Sequence, residues 1–434
     1  MNSIEICVLS LIACFLLMAI GLPIGVSFAV VGFAGLSLSR GLNAALETLG
    51  AAPYTYASIE SFTCLVLFVL MGMFAFQSGI SAELFDTARK WFAKFPGGLA
   101  QATILACAGF AACTGSSVAG AATMSTIAYP EMEKSGYSPR LSTGAIASGG
   151  TLGILIPPSN AFIIYGFLTQ TSVAELFIAG ILPGILLTSI FIVGIAAMCK
   201  RNPKLGPAGP HFSTKERLAS LRGAASMILL FLLVVGGLYF GIFTPSEAGA
   251  IGASGAFLIA LARRRMTISG LLSSLKDTVT TACFVITLAI GAMIFNTFMA
   301  TVGFTGAFSE WMNRVQVSST VIIVIMALVY IVLGIIMDEL AMIFLTIPIV
   351  APAMAAKGID LVWFGVLTTL LSQMATISPP FAMNVYVVQG MTKARLTDVY
   401  WGILPFFVMM GICLALLIAF PQISLYLPSV MKRA

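Results

Sequence analysis

The chain carries one pattern twice at a constant spacing, and that repetition limits the folds open to it more than any single residue does. Pro130, Met132, Gly136, Pro157 and Pro158 recur 222 positions later as Pro352, Met354, Gly358, Pro379 and Pro380. Each copy runs from a polar break through an apolar stretch, a Pro-x-Met turn, a Gly and a second apolar stretch to a Pro-Pro break. The first polar break is Thr114-Gly115-Ser116-Ser117, and the same offset sets Asp338-Glu339 against Ser116-Ser117. An internal duplication fixes the architecture before any residue is given a role.

Water is not the solvent for most of this chain. It is 59% hydrophobic and 9% charged, with a mean hydropathy of +1.05, where a soluble domain carries about a quarter charged residues. Apolar runs of roughly 17–25 residues, long enough to cross a bilayer, follow one another from residue 4 to residue 427. The expectation is one all-α polytopic unit in the lipid bilayer. The only long polar stretch is Lys200 to Arg222, a loop with Pro203, Pro207 and Pro210. The net charge of +6 comes from basic residues scattered over short loops, which excludes a nucleic-acid face. The eight Cys stand singly with no C-x-x-C, so neither a metal site nor a disulfide framework is indicated. His211, the one His, lies in the polar loop, where a general base has no positioned partner. Ile4 to Ile20 has no basic residues ahead of it and reads as a membrane helix rather than a cleaved signal.

Spans are expected near 4–20, 22–39, 62–80, 141–168, 174–198, 223–243, 246–262, 277–300, 361–388 and 400–427, with 97–130 and 318–355 as hairpins that enter and leave on one side. Seventeen of the 22 basic residues, among them Arg89, Lys134, Arg140, Lys200, Arg263 and Lys393, then share one side, and Arg40, Arg314, Lys357, Lys432 and Arg433 the other. That bias marks the first side as cytoplasmic and turns both termini outward. Hairpin one opens to the cytoplasm and hairpin two to the outside, so the repeats are inverted. The expected divisions are scaffold helices over 1–82, a first transport repeat over 83–170, scaffold helices over 171–276 with a loop at 199–222, a second transport repeat over 277–398, and a C-terminal helix over 399–434.

Four breaks interrupt the apolar runs: Thr114 to Gly120, Gly149 to Asn160, Met337 to Ala341, and Ser372 to Asn384. Broken helices at membrane depth are buried in protein or line water, and paired ones in two halves mark a secondary transporter's binding site. Pro157-Pro158 and Pro379-Pro380 donate no backbone hydrogen bonds and free the carbonyls upstream. Those carbonyls, with the hydroxyls of Ser116, Ser117, Thr151, Thr376 and Ser378, suit a hard monovalent cation such as Na⁺. Free N–H groups at half-helix N-termini suit a carboxylate. Asp338 and Glu339 are the only carboxylates placed in a membrane-embedded segment, where a charge costs at least about 2.5–3.5 kcal/mol and marks function. The plainer alternative makes them helix-capping groups at a wetter tip. Gly149-Gly150-x-x-Gly153 serves close helix packing or the site, and the Pro-Pro behind it favours the site. Gly72 and Gly291 carry no assignment.

Gly115-Ser116-Ser117, the Gly-Tyr-Ser-Pro turn at 136–139, Gly153-Ile-Leu-Ile-Pro-Pro-Ser159, Met337-Asp338-Glu339 and Ser378-Pro379-Pro380 resemble the large membrane subunit of tripartite ATP-independent periplasmic (TRAP) transporters. The resemblance runs along essentially the whole chain. It implies an inverted-repeat, elevator-type transporter of the bacterial inner membrane, with two re-entrant hairpins and two broken helices sliding against a scaffold. It implies two partners: a small membrane subunit, which this chain does not include as a fusion, and a periplasmic substrate-binding protein. It implies no cofactor, Na⁺ as the coupling ion, and an organic acid such as a sialic acid or a C4-dicarboxylate as substrate. Carried onto this sequence, Ser116 and Ser117 with carbonyls near Gly149, Gly150 and Gly153 would form one Na⁺ site, and Asp338 with carbonyls near Met374 and Thr376 the other. Substrate would lie near Ser159, Asn160, Ser378 and Asn384.

Other classes fit less well. An intramembrane aspartyl protease needs two facing Asp, whereas Asp338 and Glu339 are adjacent and point different ways on a helix; a serine version lacks its base. No G-x-x-x-x-G-K-[ST] loop is present for an ATP-driven pump, and inverted hairpins favour occlusion over an open channel. A proton-coupled carrier using Asp338, and a stand-alone symporter of the related divalent-anion group, remain as alternatives.

Overall fold

The computed structural model of the chain describes residues 3–314, 318–379 and 382–431, and its regular structure is helical, with no strand among them. The first half comprises α1 (Ser3–Ala19), α2 (Ile24–Arg40), α3 (Leu42–Ala57), α4 (Glu60–Gln77), α5 (Ile80–Phe92), α6 (Gly98–Thr114), α7 (Ser117–Lys134), α8 (Pro139–Leu155), α9 (Asn160–Thr169) and α10 (Val173–Arg201). The second comprises α11 (Thr214–Tyr239), α12 (Pro245–Ala262), α13 (Ile268–Thr301), α14 (Phe304–Arg314), α15 (Ser319–Leu333), α16 (Glu339–Ala356), α17 (Leu361–Ile377), α18 (Met383–Thr392), α19 (Leu396–Ala419) and α20 (Gln422–Met431). Among the described residues, eight helices, counting α8 with α9 as one, are long and apolar enough to cross a membrane.

The duplication is drawn in the backbone. α7 and α16 begin and end 222 residues apart, as do α8 and α17, while α9 and α18 are 223 apart. Gly136 (φ 74°) and Gly358 (φ 73°) end the hairpins in the same left-handed turn, a conformation glycine adopts without steric cost. The Pro-x-Met elements are not turns. Pro130 and Pro352 sit inside α7 and α16; the chain reverses only at the glycines. The halves differ in places, most plainly where α13 is a single helix of 34 residues and the first half has α3 and α4 separated at Ser58-Ile59.

The two halves exchange helices. α2 packs along α13, and its counterpart α12 packs along α4. Likewise α7 packs on α18 and α16 on α9. Glycines let the α2–α13 backbones approach, as small residues do at membrane helix contacts. A Cβ at Gly32 would lie 2.8 Å from the Phe295 Cα, and one at Gly291 only 1.8 Å from the Gly25 carbonyl oxygen. Gly291 therefore has a packing role that its position in an apolar run did not disclose.

One end of the molecule gathers most of the basic loops. The Gly97 N–H donates to the Gly206 carbonyl (2.8 Å) and the Ser138 N–H to the Leu205 carbonyl (2.9 Å), so the base of hairpin one sits on the loop between α10 and α11. Ion pairs join Arg263 to Glu83 (2.7 Å), Arg89 to Glu131 (3.2 Å) and Arg140 to Asp398 (3.0 Å) at the same end. The polar loop is shorter than its composition implied, because α10 continues to Arg201 and α11 starts at Thr214 behind a Ser213–Glu216 capping box. The stretch expected as one C-terminal helix is two, α19 and α20, with Pro421 between them. Lys432 and Arg433, used in the charge count, lie outside the described residues.

Candidate functional site

The two hairpin tips meet. In α7 and α16 equivalent residues take equivalent roles: the Ser116 hydroxyl accepts from the Ala119 N–H, and the Asp338 carboxylate from the Ala341 N–H, each at 3.4 Å. Each caps the first turn of its helix, where free N–H groups need an acceptor. The next residues, Ser117 and Glu339, face each other. The Ser117 hydroxyl lies 3.0 Å and 3.3 Å from the two Glu339 carboxylate oxygens. Their separation of 222 residues equals the repeat offset. Residues related by a two-fold meet only beside its axis, so this hydrogen bond marks the axis. It joins a carboxyl group to a hydroxyl that is 0% exposed.

The breaks are tighter than the polar stretches that announced them. Hairpin one opens only at Gly115 and Ser116, and hairpin two at residues 334–338. α8 stays helical through Leu155 and α17 through Ile377, so Gly149, Gly150, Gly153, Met374 and Thr376 belong to helices. Intact helices bring these residues to the tips nonetheless. A Cβ on Gly153 would lie 2.6 Å from the Ser116 carbonyl oxygen, and one on Gly150 2.9 Å from that of Ser117. Gly115, at φ 57°, lies against Pro158, whose carbonyl oxygen is 2.8 Å from a Cβ placed there. Gly149 instead turns its free side to Cys107 and Ile104 of α6. In the second half the turn after α15 leans on α17 at Gly334, where a Cβ would lie 2.9 Å from the Ala375 carbonyl oxygen. Ala375 is the repeat equivalent of Gly153. No hydrogen bond among the described residues joins Asp338 to Met374 or Thr376; the Thr376 hydroxyl donates to the Gln373 carbonyl at 2.8 Å.

The residues expected near substrate divide. Ser159 caps α9 by accepting from the Phe162 N–H (3.4 Å), and Asn160 begins that helix beside Gly115. Ser378 and Asn384 are buried. The Asn384 amide donates to the Ala147 carbonyl at 3.4 Å, while its oxygen and the Ser378 hydroxyl have no partner among the described residues. The Gln373 amide, fully buried in α17, is also unpartnered at both atoms among the described residues. Pro157 and Pro158 end α8 with a cis bond between them; Pro379 follows α17, and Pro380 lies outside the described residues.

A cavity of about 350 Å³ lies between the tips and the helices α4 and α13. Ser116, Asn160, Asp338 and Glu339 line it from the tips. From α13 it is lined by Asp277 and Thr281, which the expected span of 277–300 placed at its margin. α13 runs on through Lys276 and Asp277 without interruption, and Asp277, an exposed residue that accepts from the Ser273 hydroxyl at 3.2 Å, reaches the same cavity. A charged pair ahead of a long apolar run was the available signal. Its apolar walls include Val69, Met73 and Phe284.

A family model described as the tripartite ATP-independent periplasmic transporter, DctM component, matches residues 11–423 of the chain. The chain is 34% identical over 402 residues to the C4-dicarboxylate TRAP transporter large permease protein DctM of Pseudomonas aeruginosa, covering 90% of this chain and 94% of that one. It is 31% identical over 414 residues to the sialic acid TRAP transporter large permease protein SiaM of Vibrio cholerae, covering 94% and 95%. Its fold is similar to the crystal structure of the Alcanivorax borkumensis YdaH transporter, with a TM-score of 0.65, 14% identity, and 89% and 90% of the two chains covered.

Proposed function

Since the chain belongs to the DctM component family of tripartite ATP-independent periplasmic transporters, we propose that it is the large membrane subunit of a carrier that takes up an organic acid with Na⁺ across the bacterial inner membrane. The observation that carries this reading is the meeting of the two capped hairpin tips, joined by Ser117 and Glu339 and fronting one cavity with Asp338 and Asn160. Carbonyls of Ser116 and Ser117 packed on Gly153 and Gly150 supply neutral oxygens for one Na⁺. Asp338, with carbonyls at the end of α17, supplies a charged site for a second. The acid lies between the tips near Ser159, Asn160, Ser378 and Asn384. It is delivered by an extracytoplasmic binding protein, and a small membrane subunit completes the scaffold. The tips and the broken helices move as an elevator against α2, α4, α12 and α13. The end bearing most basic loops faces the cytoplasm.

Coupling follows from charge. One elementary charge crossing the membrane is worth about 2.3 kcal/mol per 100 mV. A carboxylate entering alone moves against an inside-negative potential; two Na⁺ beside a monocarboxylate make the cycle net positive inward.

Uptake of a panel of labelled acids into proteoliposomes tests this, with and without a Na⁺ gradient and with and without the two partner proteins. Uptake falls at least about tenfold without Na⁺, the effect of roughly 1.4 kcal/mol of coupling. Equal uptake at zero Na⁺ overturns sodium coupling, and a pH dependence that persists at saturating Na⁺ replaces it with protons. Uptake by this chain alone makes it a stand-alone symporter. A narrower prediction concerns Gly153. A Cβ there displaces the Ser116 carbonyl, so Gly153→Ala raises the half-saturating Na⁺ concentration about tenfold while the purified protein stays monodisperse. An unchanged Na⁺ requirement removes that carbonyl from the site.

A further inference from the structure

Two cavities away from the hairpin tips repeat one another across the duplication. One, of about 320 Å³, lies beneath α14 between α1, α15 and α16. The other, of about 430 Å³, lies beside α5 between α6, α10 and α11. α5 and α14 end 222 residues apart. Cys7 and Leu11 in the first cavity correspond to Ile228 and Leu232 in the second, at the offset of 221 that separates the starts of α2 and α12. Tyr330 likewise corresponds to Ala108.

The walls suit a hydrocarbon ligand. Neither cavity is lined by an Asp, Glu, Lys or Arg among the described residues. Their hydroxyls are already satisfied: Tyr330 and Thr346 share a hydrogen bond, Thr188 donates to the Gly184 carbonyl at 2.7 Å, and Ser189 to the Ile185 carbonyl at 2.8 Å. An apolar cavity of about 150 Å³ stays dry and takes benzene. These are two to three times that size and suit a chain of on the order of a dozen carbons. They are too narrow for a partner's helix: a sphere of 320 Å³ is roughly 8 Å across, and a helix with its side chains about 10–12 Å.

Both cavities open on the bilayer. Ile325 and Val329 line the first and Ile228 and Leu232 the second, and all four are exposed. An amphipathic helix with an exposed tryptophan borders each. On α14, Phe304, Phe308 and Trp311 stack along one face, with ring centroids 6.2 Å and 5.9 Å apart, and Glu310 pairs with Arg314 on the other. α5 carries Trp91 next to Lys90. Tryptophans and amphipathic helices of this kind sit at the level of lipid headgroups, so a lipid beside α14 or α5 has its tail directed at the cavity.

We propose that each cavity holds one acyl chain of a phospholipid, drawn from opposite leaflets. Each chain is wedged between the outer arm of a hairpin, α15 or α6, and the first helix of the opposite half, α1 or α11. The two chains are ligands of the fold and are bound whichever acid or ion is carried.

Mass spectrometry of the intact full chain, released from mild detergent, counts them. The wild-type protein carries two phospholipids. Val350→Trp fills the cavity beneath α14 and carries one, Ala108→Trp fills the other and carries one, and the double variant carries none. Val408→Trp, on an exposed part of α19 that lines neither cavity, keeps both. Wild-type protein free of phospholipid overturns the proposal, as does the same count in all three single variants. A second measurement leaves the cavity residues intact. Two variants retain a single tryptophan, either Trp311, which lines the cavity, or Trp401, which is exposed on α19 and lines neither. Phosphatidylethanolamine with brominated chains, supplied in detergent at a few molecules per protein, quenches Trp311 and spares Trp401. Equal quenching of the two shows that lipid coats the surface without entering the cavity, and overturns the proposal.

Discussion

Gly291→Ala unfolds this protein about 10 °C below the parent in detergent. A Cβ at Gly291 would lie 1.8 Å from the carbonyl oxygen of Gly25 and 2.6 Å from its carbonyl carbon. Backbone cannot rotate out of the way as a side chain can, so α2 and α13 must part. Overpacking a fitted contact costs about 3 kcal/mol at the upper end of its usual range, and each kcal/mol moves the midpoint of a large domain by roughly 2–4 °C. Gly236→Ala is the control, because a Cβ there meets nothing within 4 Å. It changes stability by less than about 0.5 kcal/mol. Equal melting of the two variants shows that the α2–α13 contact relaxes freely and bears no load.

The second large effect is a coupling. Ser117→Ala leaves the Glu339 carboxyl group without its hydroxyl, and Glu339→Gln keeps the shape but replaces one carboxyl oxygen with an amide nitrogen. Each single change costs about 1–3 kcal/mol, because the remaining group stays buried and poorly matched. Together they cost less than their sum, with a coupling energy of about 2 kcal/mol. That is a factor of about thirty in the stability of the joined tips. A double-mutant cycle on thermal unfolding reads it directly. A coupling below about 0.5 kcal/mol means that the two tips are held by their surroundings and not by this bond.

Much of the fold was legible because the repeat is long and the membrane allows few structures. The 222-residue offset located both hairpins and both Pro-Pro breaks. Break lengths were overestimated for a physical reason. Ser, Thr and Gly read as interruptions, yet inside a buried helix Thr151 and Thr376 satisfy themselves by donating to carbonyls three residues back, at 2.7 Å and 2.8 Å. α3 escaped notice because Pro53 and a weak apolar face disguise a helix that α13 continues smoothly in the other half. At the candidate site the sequence set Ser117 and Glu339 in register as equivalents. That they touch depends on where the two-fold axis passes, and a register cannot say that. Asp277 belongs to α13, far from either hairpin in the chain, and only packing brings it to their tips.

The exchange of helices between halves has a consequence for synthesis. α2 is made early and leaves its glycine face bare until α13, whose Ile268 follows Ile24 by 244 residues. At 5–20 residues per second that wait is roughly 12–50 s. α4 waits similarly for α12. The first half therefore waits with α6, α7 and α8 already able to pack on one another but with the faces of α2 and α4 uncovered, and the second half supplies the surfaces on which those two settle. Maturation of this subunit is a single late event: neither repeat is a finished module that its twin merely joins.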